Sequence, residues 1–124
     1  MFHADHTALQ IIGHALVAFL FVYRGLAAPM EWEFNVAVIR KRGIPMPEAV
    51  FAVGAAWIFV GGVMVLIDWH ADVAGWALVL FCVLANLIYH NFWDMEGMER
   101  RIHTWIFSNT VAVMGGCVLV AAGA

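Results

Sequence analysis

The chain has 124 residues, of which 65% are hydrophobic and only 12% charged, and its mean hydropathy is +0.88. A soluble domain of this size needs far more polar surface to cover its core, so the composition excludes one, along with a disordered chain. Six Lys and Arg against nine Asp and Glu give a formal charge of -3, which excludes a basic nucleic-acid binder and leaves an integral membrane protein.

A helix crosses the hydrocarbon layer in about 20 apolar residues at ~1.5 Å each. Runs of that length predict one all-α transmembrane domain over 1–124, a four-helix bundle with spans at about 7–28, 48–67, 73–93 and 102–122. The first run is interrupted by Gln10, His14 and Arg24. It lacks the basic leader of a secretory signal and exceeds the usual length of its apolar part, so it counts as a span. Pro29 to Arg42 then reads as a short helix, with Pro29 in its first turn, Glu31 and Glu33 at its positive end and Arg40, Lys41 and Arg42 at its negative end. Gly43 closes it, Pro45 and Pro47 forbid its continuation, and Trp32, Phe34, Val36 and Ile39 suit it to the membrane interface.

The second span has no polar side chain after Glu48 and contains Ala52, Ala56, Gly61 and Gly62. The third carries Asn86, His90 and Asn91 towards its end. The fourth carries His103, Ser108 and Asn109 near its start, followed by Ala112, Gly115 and Gly116. The small residues mark faces where helices can approach closely. Cys82 and Cys117 lie within apolar runs and read as small buried hydrophobes rather than as a disulfide or a thiolate metal cluster.

All six basic residues, Arg24, Arg40, Lys41, Arg42, Arg100 and Arg101, lie at the end of the first span or in the loops after spans one and three. The positive-inside rule then places these loops in the cytoplasm and both termini outside it. Trp32, Tyr89, Trp93 and Trp105 would form the inner aromatic belt, and Trp69 and Trp76 the outer one.

Polar groups inside a membrane cost free energy unless they are paired or functional. Arg24, His90 and His103 lie within about a turn of the cytoplasmic boundary, and Asn86 and Asn109 roughly 10 Å deeper by helix rise. The two asparagines could clamp adjacent helices or face a ligand, while Arg24 could snorkel to the headgroups. Asn86 and His90, four apart, share one helix face. His14 and His90 differ in depth by about 15 Å, which disfavours a haem between them, and an interfacial His90–His103 haem has no further sequence support. On the outer side His3, Asp5, His6, Asp68, His70 and Asp72 could meet if the amino terminus folds over the short loop. Their chemistry suits zinc or copper, but no rigid i, i+4 pair is present, so they read as solvated ends and no metal site is assigned.

The segment R-G-I-P-M-P (Arg42 to Pro47), the pair Gly61-Gly62, the motif His90-Asn91-Phe92-Trp93, and Asn109 with Gly115 and Gly116 together resemble the DoxX family of small four-helix membrane proteins. The match covers roughly Val22 to Ala121. It implies a four-helix fold and a setting beside quinone-linked oxidoreductases and quinol oxidases. The chain departs from the family pattern at Ile58, where relatives carry Glu, at Ser108, where they carry Lys, and at Tyr23-Arg24-Gly25. His90, Asn91, Trp93 and Asn109 are the matching positions that survive.

The resulting expectation is an accessory or quinone-interacting subunit of a redox complex in a bacterial inner membrane. A quinone headgroup would sit among Arg24, Asn86, Tyr89, His90, Asn91, Trp93, His103 and Asn109, with His90 exchanging a proton and Arg24 stabilising negative charge. No covalently bound cofactor is implied. The partners expected are the lipid bilayer and a larger membrane complex or a second copy of the chain, and no nucleic acid. The alternative is a structural or assembly subunit, which the missing Glu and Lys favour. A transporter needs a polar path that the dry second span does not supply.

Overall fold

The computed structural model describes residues 3–89 and 96–123, with Tyr89 described by its backbone alone, and these residues are helical apart from short connections. Helix α1 (Ala8–Ala27) runs into a 3-10 turn (Ala28–Glu31) and then α2 (Trp32–Lys41); α3 (Pro47–Leu66), α4 (Ala71–Tyr89) and α5 (Gly97–Ala121) follow. Four helices, α1, α3, α4 and α5, are long and apolar enough to cross a membrane. They fall on the four runs seen in the sequence. Helix α5 begins five residues before its apolar run, because Met98 to Arg101 can be helical without lying in hydrocarbon.

Local chemistry fixes the ends. Thr7 caps α1 through a reciprocal box, in which its hydroxyl accepts from Gln10 N at 3.2 Å and Gln10 Oε1 accepts from Thr7 N at 2.8 Å. At the end of α3, Trp69 N donates to Met64 O at 2.9 Å and Asp68 N to Val65 O at 3.2 Å. This is a Schellman closure with Asp68, at φ 56°, in the left-handed position. Helix α2 stops at Gly43 as the sequence predicts, where Gly43 N donates to Arg40 O.

The helices pack in the order α1, α3, α4, α5, and α5 returns only lightly to α1. Along this ring every neighbour is antiparallel. The core comprises Ala18 and Phe21 of α1, Ile58 and Val65 of α3, Ala71, Ala74, Leu78 and Cys82 of α4, and Cys117 and Val120 of α5. The apolar residues of α2 divide between two faces: Val36 and Ile39 are buried, and Trp32 meets Phe51 of α3 edge-on at 5.3 Å, whereas Phe34 is 70% exposed. Helix α2 is therefore strapped across the bundle through α3, and only Phe34 and its neighbours remain for the interface.

Small residues set the closest approaches. A Cβ on Gly75 would lie 2.7 Å from Cys117 O, and one on Gly62 would lie 2.9 Å from Val22 Cγ2 and 3.1 Å from Val22 N. Gly61 and Gly62 thus act at a helix contact as the sequence suggests. Ala52 and Ala56, in contrast, are exposed, and Gly115 faces open space.

Gly75→Ala must push α5 off α4, since the obstructing atom is backbone. We expect a loss of about 1–3 kcal/mol in reversible unfolding from mild detergent. Gly115→Ala should leave stability unchanged or slightly raised. Equal effects from the two changes would contradict the α4–α5 packing.

Candidate functional site

Two groups of polar side chains occupy opposite ends of the bundle. At the end bearing the basic residues, Arg40 pairs with Glu48 at 2.6 Å. Arg42 Nε donates to Ile88 O at 2.9 Å, satisfying a carbonyl in the last turn of α4, where positive charge also suits the helix dipole. Arg24 lies 3.8 Å from Glu31, in a pair whose side chains are both about half exposed. Beside it an apolar groove of about 310 Å3 runs between Gly25, Ala28, Pro29, Trp32, Ala56 and Phe59.

Asn86 is buried one turn from the end of α4, and its Oδ1 has no hydrogen-bond partner among the described residues. Asn109 is exposed on α5 and His103 is half-buried. No hydrogen bond or ion pair joins Arg24, Asn86 and Asn109 to one another, so the clamp considered between the two asparagines does not form. Three of the expected headgroup contacts, His90, Asn91 and Trp93, lie outside the described residues, as does the side chain of Tyr89. At two of the departures from the DoxX pattern, Ile58 is buried in the core and the Ser108 hydroxyl donates to Thr104 O at 2.9 Å.

The other end gathers His3, His6, His14 and Asp68, each offering one donor atom within 4.8 Å of the others. His14 is 2% exposed on α1, two turns below Thr7, and its Nδ1 donates to Val65 O at 3.0 Å. Residues 3–6 fold back over it. His3 Nε2 donates to Leu66 O at 2.7 Å, His6 Nε2 to Gly123 O at 3.1 Å, and His3 N to Asp68 Oδ2 at 3.0 Å. The amino-terminal segment, the α3–α4 turn and the carboxyl-terminal residues are thereby tied together.

The expectation of solvated ends holds for Asp5, His70 and Asp72, which are exposed, and is corrected for His3, His6 and Asp68. These three are half-buried and bonded to one another and to the carbonyls of Leu66 and Gly123. His14 was absent from the set drawn from the sequence because it was placed inside a span. Its depth could have signalled the cluster: seven residues into α1 it lies about 10 Å from Thr7, within reach of a folded-back terminus.

Four membrane-length apolar helices packed on one another define an integral membrane protein. The chain is 20% identical over 120 residues to "Inner membrane protein YphA" of Escherichia coli (strain K12), an alignment covering 97% of this chain and 86% of that protein. No family model matches the chain, and no solved structure does.

Because Asn86 and Asn109 make no bond to each other, Asn86→Leu and Asn109→Leu should be independent. Their effects on unfolding free energy should add within about 0.3–0.5 kcal/mol. A coupling above roughly 1 kcal/mol in the double-mutant cycle would show that the two amides do interact.

Proposed function

We propose that this protein is a DoxX-like accessory subunit of a quinone-linked redox complex in a bacterial inner membrane, with a quinone headgroup received at its basic end. The observation that carries the reading is Asn86, a buried amide whose Oδ1 is left without a donor. An unsatisfied polar group at such a site is costly in hydrocarbon, and a ligand hydroxyl that completes it recovers that cost. A quinol supplies such a hydroxyl, and the quinone form supplies a carbonyl for the Asn86 amide N–H. The donor set fits the group.

The apolar groove beside Arg24 lies at the same end and suits an isoprenoid chain. His90, Asn91 and Trp93 follow Asn86 within seven residues of the sequence, and Tyr89 precedes them; with His103 and Arg24 they would complete the polar rim. A quinone would carry electrons and protons for the partner complex; this chain would hold and orient it, with His90 placed to exchange a proton near neutral pH. YphA is named an inner membrane protein, which supports the location.

A second reading is favoured by Asn109. An amide exposed on the outside of a membrane helix needs a protein partner to satisfy it, and α5 is the helix least covered by the rest of the chain. Docking of α5 against a larger subunit or a second copy would serve an assembly role without any quinone.

Three measurements test these proposals. Adding a short-chain quinol should raise the thermal midpoint of the purified wild type, and Asn86→Leu should abolish that shift while raising the midpoint of the unliganded protein. No shift in the wild type would overturn the quinone reading. Asn109→Leu should leave the quinol shift intact; loss of a co-purifying membrane partner in this variant would favour the assembly role. For orientation, single cysteines at the exposed positions Asp72 and Gly97, in a background lacking Cys82 and Cys117, should differ, with only the first reacting with an impermeant thiol reagent added from outside. Labelling at Gly97 alone would invert the proposed topology.

A further inference from the structure

We infer that His3, His6, His14 and Asp68 form a binding site for a zinc-type divalent cation that staples the end of the bundle opposite the basic loops. A carbonyl oxygen can only accept, so the bonds from His3 Nε2 to Leu66 O and from His6 Nε2 to Gly123 O place a proton on each Nε2. In the neutral rings both Nδ1 atoms are then bare. Yet these two nitrogens face one another at 3.1 Å. Two lone pairs at that distance repel unless a shared proton or a metal ion lies between them, and the further donors around them suit the metal ion.

The remaining donors converge on the same place. His14 joins the same group: its Nδ1 donates to Val65 O, and a ring nitrogen lies within 4.8 Å of the donor atoms of His3, His6 and Asp68. Its ring centroid stands 5.0 Å from that of His3 and 4.7 Å from that of His6. Asp68 Oδ2 lies 3.6 Å from His6 Nδ1 and is steadied by the backbone N–H of His3. Neighbouring ligands on a tetrahedral zinc at ~2.0–2.1 Å are about 3.3 Å apart, close to the 3.1 Å and 3.6 Å found between these atoms.

Outer contacts complete the pattern. Each of the three imidazoles is oriented by a backbone carbonyl on its other nitrogen, the arrangement that fixes tautomer and ring direction around bound metals. Asp68 occupies the left-handed position of the α3 closure, where glycine is the usual residue. Aspartate is one of the few residues other than glycine that adopt this conformation readily, and here it turns its carboxylate towards His3 and His6. Three imidazoles and one carboxylate suit zinc, and copper(II) shares the ligand preference. Bound metal would join residues 3–6, α1 and the α3–α4 turn directly, and the carboxyl-terminal residues through His6.

The test uses tag-free, metal-stripped protein in mild detergent, equilibrium dialysis against zinc, and thermal unfolding with and without it. The wild type should bind one zinc per chain and unfold at a higher temperature in its presence. His6→Ala and Asp68→Gly should each weaken binding roughly 100-fold and lose the thermal shift. Asp68→Gly is the decisive variant, because glycine is favoured at that backbone position and offsets the lost carboxylate contacts, so that the apo protein should still fold. His70→Ala, on an exposed neighbour, should bind as the wild type does. Absence of stoichiometric zinc in the wild type would mean that a shared proton holds the histidine pair, and would overturn the inference. Wild-type affinity in His6→Ala and Asp68→Gly would overturn it equally. Neither readout depends on quinone, so failure here is distinguishable from failure of the proposed function.

Discussion

Lipid tails solvate apolar side chains about as well as the protein interior does, so membrane helices gain from association mainly what close packing supplies. In this bundle that packing depends on places where a side chain is missing. Gly75 lets the α5 backbone reach α4 at Cys117, and Gly62 lets α1 reach α3 at Val22. Leu78, fully buried, fills the space beside Gly61 and joins the two tight pairs across α3 and α4. The remaining contact, α1 with α5, is slight. The molecule is therefore two close helix pairs welded along one side, and its polar groups are arranged about that frame.

The polar side chains answer the requirement that nothing be left unsatisfied in hydrocarbon in three different ways. Thr104, Ser108 and Thr110 return their hydroxyls to carbonyls one turn back along α5, at 2.6, 2.9 and 2.8 Å, which lets an exposed helix face carry them cheaply. Trp57 and His14 donate instead across helix boundaries, to Ala77 O and Val65 O, and convert polarity into tertiary contact. Asn86 Oδ1 does neither. Among the described residues this is the buried side-chain oxygen that the fold leaves over, and it lies at the basic end.

The spans were legible in the sequence because bilayer thickness imposes a length on every apolar run, and the termination of α2 was legible because Gly43 and the two prolines act locally. What required the third dimension was rotation about each helix axis. Gly61, Gly62, Gly75 and Gly115 look alike in sequence, yet Gly75 touches a carbonyl and Gly115 touches nothing. The same rotation separates Asn86, turned inward, from Asn109, turned outward, although depth arithmetic places them at one level. The histidine cluster was hidden for another reason. It joins residues 65 positions apart, and two of its four members belong to a terminus whose fold-back no periodicity announces.

The departures from the DoxX pattern take on a different meaning in this frame. If Glu and Lys stood at 58 and 108, they would not form a pair within one chain: position 58 faces the core of α3, whereas position 108 is exposed on α5. A Glu at 58 would need a buried partner or a proton of its own, and a Lys at 108 would address lipid headgroups or a neighbouring protein. The two replacements are thus separable. Ile58 makes the core dry, removing an ionisable group from the middle of the bundle. Ser108, satisfied by Thr104, removes a charge from the surface on which Asn109 remains. In this chain the buried polar groups stand instead towards the two ends of the bundle, Asn86 at one and the histidine cluster at the other.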